Sequence, residues 1–178
     1  MNKQFQDGWR LANEALVKAI APLTPAQLAT EVYPKAPIWG SVAHLAGTRV
    51  YWLCEVAKEP GHERTSFRDL DLASGGWEDD PAHPRSADEL VGALESTFRV
   101  IEDTLTRWTD DTLSTEVRLK RGDGSVRVHT RGSILWRMMT HDAFHIGEIS
   151  LAMGTHGIGP RGGNGPIDLW TGLSRTGP

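Results

Sequence analysis

Four amphipathic helices with one small β-hairpin inserted before the last make an all-α helical bundle the fold this sequence predicts. Three observations carry that expectation. Apolar residues recur at spacings of three and four in four separate stretches, the period changes to two only between Thr115 and Thr130, and no repeat or composition break marks a second domain. At 178 residues the chain can bury roughly two-thirds of its unfolded surface, so residues 1–178 read as one domain that needs no disulfide staples.

The first helix is expected from about Phe5 to Ile20, with Trp9, Ala12, Leu16 and Ile20 on one stripe, ending before Pro22. A connector follows. In it Thr24 caps a short turn with Pro25 just inside, Leu28 packs there, and Pro34 and Pro37 break the chain again. The second helix starts near Pro37 or Ile38 and reaches about Lys58, where Pro60-Gly61 closes it; Ile38, Val42, Leu45, Arg49, Trp52 and Val56 mark its repeat. Residues 59–85 turn to Pro, Gly, Asp and Ser with little periodicity and read as a long surface loop, in which Trp77 is the residue expected to dock.

Ser86 with Glu89 is a capping box, and Leu90, Leu94, Phe98, Ile101 and Leu105 carry the third helix to about Trp108. Val117 and Leu119 before Gly122-Asp123-Gly124, with Val126 and Val128 after it, predict the hairpin. Its Arg121-Gly122-Asp123 is tight-turn composition rather than an adhesion signal. The fourth helix runs from Ser133 to about Met153, and its inward stripe is Ile134, Met138, His141, His145, Glu148 or Ile149, and Ala152. Residues 154–178 hold eight glycines and three prolines, a tail for which Ile167, Leu169 and Trp170 are the expected anchors.

Composition excludes several function classes. With 19 basic against 23 acidic residues the net charge is −4 and no basic stripe supports nucleic-acid binding. No apolar run of about 18 residues predicts a membrane span. The single cysteine, Cys54, rules out an internal disulfide or a four-cysteine zinc ribbon; with no visible targeting segment the expectation is a cytoplasmic protein. Cys54 lies beside Trp52, Leu53 and Val56 with no adjacent base, so it reads as a buried, inert thiol. No phosphate-binding glycine loop, dinucleotide fingerprint or nucleophile elbow is present.

The chemistry concentrates in His141-Asp142-Ala143-Phe144-His145. Side chains four apart on a helix stand one turn above each other, roughly 5–6 Å between β-carbons, so the two imidazoles can converge on one divalent ion. The alternative is a pair of hydrogen-bonded core histidines, but each imidazole brings a donor and an acceptor into an apolar seam, and a shared metal satisfies both. His44, in the second helix, is the best third ligand; His62, His83, His129 and His156 fall in the loop, the hairpin or the last helical turn. Three neutral histidines leave a coordination position open, as in catalytic sites. Glu148, three residues after His145, is the catalytic candidate, as a base, a weak fourth ligand or an orienting partner, against a solvated helix carboxylate.

Ile38-Trp39-Gly40-Ser41-Val42-Ala43-His44-Leu45, together with His141-Asp142-Ala143-Phe144-His145-Ile146-Gly147-Glu148, resembles the DinB-like superfamily of metalloenzymes, which includes bacillithiol- and mycothiol-dependent transferases. The resemblance covers nearly the whole chain. It implies an up-down-down-up four-helix bundle, often a homodimer, whose His44, His141 and His145 bind zinc, nickel or a similar divalent ion.

Three functions follow for testing. The first is a metal-dependent transferase that activates a low-molecular-weight thiol for attack on a small electrophilic substrate, with Arg49 and Arg137 as carboxylate anchors and Trp52 walling the pocket, alongside Trp39, Trp136 and Trp170. The second is a metal-dependent hydrolase with Glu148 or Asp142 as general base. The third is a non-catalytic, metal-stabilised dimeric bundle with a stress or binding role.

Overall fold

The computed structural model describes residues 3–160 and 165–168; Leu169 and Trp170, expected as tail anchors, and residues 161–164 lie outside the described residues. The chain is mostly helical with two small antiparallel hairpins. Helix α1 spans Lys3–Ile20, the short α2 Pro25–Leu28, α3 Ile38–Val50, α4 Ala87–Arg107 and α5 Arg131–Thr155. Strands β1 (Glu31–Tyr33) and β2 (Ala36–Pro37) precede α3, and β3 (Glu116–Lys120) and β4 (Val126–Thr130) precede α5.

The helix starts follow their caps. Thr24 and Ser86 each accept a backbone N–H three residues on and donate their own to the Gln27 or Glu89 side chain, so the cap expected at Thr24 is a full capping box like the one expected at Ser86. Helix α5 begins earlier than expected because Thr130 and Ser133 cap each other: the Thr130 hydroxyl accepts the Ser133 N–H at 3.1 Å and the Ser133 hydroxyl accepts the Thr130 N–H at 2.9 Å. The β3–β4 hairpin pairs Leu119 with Arg127 and Val117 with His129, and Gly124 makes its turn at φ 81°.

Two local features differ from expectation. The second helix is α only to Val50; Tyr51–Val56 form a wider π-helical segment, closed by the Ala57 N–H on the Trp52 carbonyl at 3.0 Å, and Lys58 at φ 58° turns the chain away. The β1–β2 hairpin, absent from the periodicity reading, is too short to show a period and turns at Pro34 and Lys35.

Helix α3 packs against α4 and α5, and α1 against the same pair. Nearly all of α3 is buried, which places it at the centre of the core. The loop is less superficial than its composition suggests. Phe67 is fully buried, Trp77 stacks on it with ring centroids 4.6 Å apart, and the Arg85 guanidinium covers Trp77 at 4.5 Å. Just past α3, Glu59 accepts hydrogen bonds from Trp108 Nε1 at 2.6 Å and Arg107 Nε at 2.8 Å, tying it to the end of α4. Ile167 is buried, its N–H on the Ser150 hydroxyl at 3.3 Å, which makes it the one expected tail anchor among the described residues.

Candidate metal centre

Helix α3 supplies His44 and α5 supplies His141 and His145, one turn apart. Their ring centroids lie 5.0, 5.1 and 4.4 Å from one another, and one nitrogen from each falls within a 4.8 Å group. The Nε2 atoms of His44 and His141 are 3.1 Å apart, close to the roughly 3.3 Å that separates two nitrogens on a tetrahedral ion with bonds of about 2.0–2.1 Å.

Two carboxylates set the tautomers. Glu78 Oε1 accepts the Nδ1–H of His44 at 2.8 Å, and Glu148 Oε2 accepts that of His145 at 2.8 Å, so in each ring Nε2 keeps its lone pair for the centre. Residues that hold a divalent ion need this arrangement, and the donor set fits one: three imidazoles, two oriented by carboxylates, beside a cavity. The protonation energetics agree. Burial pushes His141 down to about 3, assisted by the like charges of His145 and His44, and burial also lowers His145. The hydrogen bond to Glu78 raises His44 instead.

Glu78 is the functional residue that sequence spacing does not reveal. It comes from the turn Trp77–Asp79 in the long loop, 34 positions from its partner, and only the glycine pair before Trp77 hints at close packing. At Gly76 a β-carbon would lie 2.2 Å from Glu78 Oε2, so any other residue there requires this carboxylate to shift. Glu148 sits on His145 Nδ1, the orienting position among those considered for it.

A cavity of about 410 Å³ opens beside the cluster, lined by His44, His141, Thr48, Tyr51, Trp52, Glu78 and Arg137 among others. Trp52 and Arg137 therefore reach it, with the Arg137 guanidinium 4.8 Å above the Trp52 ring. Arg49 does not. Expected as a carboxylate anchor for a ligand, it is 1 % exposed, with Nε and Nη2 on Asp142 Oδ2 at 3.0 and 2.8 Å and Nη1 on Asn13 Oδ1 at 2.8 Å. The pairing explains the correction, because a guanidinium can be buried only beside a carboxylate and acceptors that replace water. Asp142, the alternative general base, is thereby occupied and also accepts from Trp9 Nε1 at 2.7 Å. Trp39 is core, and Trp136 is 67 % exposed rather than a pocket wall. Cys54 is buried, and desolvation pushes its thiol up to about 11.

Three of the remaining histidines have hydrogen-bond partners nearby, His62 the Phe67 carbonyl, His83 Asp80 and His156 the Ala152 carbonyl, while His129 meets the Trp52 ring edge-on. The only three-residue group that could hold a metal among the described residues is His44, His141 and His145. Helical packing around such a cluster is compatible with a metal-dependent protein. Residues 9–149 match the DinB superfamily, and the chain belongs to it. A comparison with curated proteins found no match. No helix among the described residues is long and apolar enough to cross a membrane.

Proposed function

We propose that this chain is a metal-dependent thiol transferase: His44, His141 and His145 hold a divalent ion, zinc or nickel, and the adjoining cavity receives a low-molecular-weight thiol and a small electrophile. A divalent ion at such a site favours the deprotonated form of a thiol that reaches its open position. Glu78 and Glu148 fix the ring tautomers, Trp52 supplies an apolar wall, and Arg137 supplies a cation for an acidic group on the thiol or its acceptor.

The observation that carries this reading against hydrolysis is the state of the nearby carboxylates. Glu78 and Glu148 are on histidines, Asp142 is on Arg49 and Trp9, and Asp79 Oδ2 takes the Gly76 N–H at 2.8 Å. A hydrolytic base needs a carboxylate aimed at a metal-bound water, and here each carboxylate has one oxygen committed to an orienting bond, with Glu78 Oε2 and Asp142 Oδ1 left without a partner. The cavity itself weighs against a purely structural role.

The same reading places the protein in the cytoplasm as a homodimer with up-down-down-up helices. Glu59 meeting the end of α4 supports parallel α3 and α4, whereas Arg49 with Asp142 and Trp52 with His129 support antiparallel α3 and α5. Trp136, Phe144 and Leu151, exposed along one side of α5, offer an apolar stripe for a second copy.

The test is elemental analysis of the untagged protein beside a His141→Ala/His145→Ala variant, followed by cobalt substitution and thiol titration. About one ion per chain, lost in the variant, with a thiolate-to-cobalt charge-transfer band, is expected. Metal binding without that band defeats the thiol reading; no metal at all defeats the metal centre.

A further inference from the structure

A second recess of about 540 Å³ lies between the end of α3 and the β3–β4 hairpin, and it shares Tyr51, Trp52, Ala73 and Arg137 with the cavity beside the histidines. Its charge is one-sided. Lys58, Lys120, Arg121, Arg127 and Arg137 line it, with Glu55 the only carboxylate residue in the lining. Glu55 is already engaged, with Lys58 at 3.8 Å and His62 at 3.3 Å. The acid at the hairpin tip, Asp123, accepts the N–H and hydroxyl of Ser125 instead. Among the described residues, Lys120, Arg121, Arg127 and Arg137 form no ion pair.

Collecting four unpaired cations in one concavity of a chain whose net charge is −4 costs self-repulsion that an anionic ligand relieves. The floor is built as well as charged. The Trp52 ring carries the Arg137 guanidinium at 4.8 Å and meets the His129 ring edge-on at 5.1 Å, and His129 Nε2 is buried without a hydrogen-bond partner. Burial, with the charges of Arg137 and Arg127, holds His129 below its ordinary value.

We propose that this recess is an anion subsite, taking the carboxylate or phosphate groups of an elongated small molecule whose reacting end extends past Trp52 and Arg137 to the histidine cluster. The link to the cluster rests on the transferase reading; the subsite itself does not. Its volume falls within the range of small-molecule pockets, roughly 300–1,000 Å³, and the walls are a helix end and a hairpin rather than the long basic face that nucleic acid requires.

The experiment is calorimetric titration of the full-length, metal-free protein with citrate, pyrophosphate and, as a monovalent control, acetate, at constant ionic strength. Saturable binding of citrate or pyrophosphate at one site, with acetate much weaker, is expected, and the tighter of the two identifies the anionic group. Arg127→Gln/Lys120→Gln should weaken it by about tenfold or more, the size of a lost charge-assisted hydrogen bond. The His141→Ala/His145→Ala protein should bind the anions unchanged, so failure of the metal centre leaves this result standing. No saturable binding, or binding that the hairpin substitutions leave untouched while circular dichroism shows an intact fold, overturns the subsite.

Discussion

Replacing Arg49 by Met removes a side chain that ties α3 to the other three long helices. From α3 its guanidinium reaches Asp142 on α5, Asn13 on α1, and the Leu94 carbonyl and Thr97 hydroxyl on α4, and it lies 5.4 Å from the Phe98 ring centre. Met keeps the apolar stem and ends where the guanidinium begins, so the variant removes the charge together with its hydrogen bonds. What remains is the Asp142 side chain, 3 % exposed, with the Trp9 indole as a donor and Oδ1 without any partner.

Stranding one member of a buried ion pair costs about 3–5 kcal/mol. For a 178-residue domain each kcal/mol moves the melting temperature by about 2–4 °C, which gives a fall of about 6–20 °C. Urea unfolding followed by circular dichroism, on metal-free protein, measures it. Arg49→Met/Asp142→Leu should recover more than half of the loss, because no charge is then left in the interior. A cost below about 1 kcal/mol for the single substitution would show that Arg49 is not the interior tie described here and would return it to the pool of possible substrate anchors.

Three further outcomes are expected. Glu78→Ala should weaken metal binding by about 10–100-fold, and Gly76→Ala, which makes the Glu78 carboxylate shift, by less; a competition titration with a chromogenic chelator that gives wild-type affinity for Glu78→Ala would remove Glu78 from the site. In metal-free protein, nitrogen-detected imidazole titrations should show His44 protonating first as pH falls and His141 holding out to about 3. The sign for stability follows: His141 and His145 are lowered on folding, so they destabilise the fold as pH drops below about 6.5, while His44 is raised and stabilises it there, losing that contribution as pH rises through its folded value. A normal titration of His141 would contradict the buried placement. Cys54 should react with an aromatic disulfide reagent at pH 8 only at the rate of unfolding, since it is buried and its thiol is raised to about 11; fast labelling of native protein would count against it.

The four long helices were legible because each carries an apolar stripe over many turns, and the β3–β4 hairpin because its turn residues leave few alternatives. His141 and His145 were legible for the same reason, since four residues along one helix is a spatial statement. His44 needed the pairing of α3 with α5, which a helical period does not contain but the motif around it suggested. Glu78 had no such signal: its position depends on Phe67 and Trp77 docking the loop, a tertiary event with no period to read. Arg49 was legible on the apolar repeat of its helix but not in its partners, because only the coincidence of Asn13 and Asp142 on neighbouring helices makes its burial affordable in free energy. The π-helical segment Tyr51–Val56 was equally unreadable, as its apolar residues fit an ordinary α-helical stripe.

The origin of Glu78 in a loop has a thermodynamic corollary. Two of the three histidines belong to α5 and the third to α3, but the carboxylate that sets the third is carried by the segment between α3 and α4. Coupling of this kind is reciprocal: any ion that gains affinity from Glu78 must stabilise the docked loop by the same factor. For an ion bound at His44, affinity and the docking of Trp77 against Phe67 would rise and fall together, so a substitution that loosens the loop should weaken metal binding without touching a single histidine.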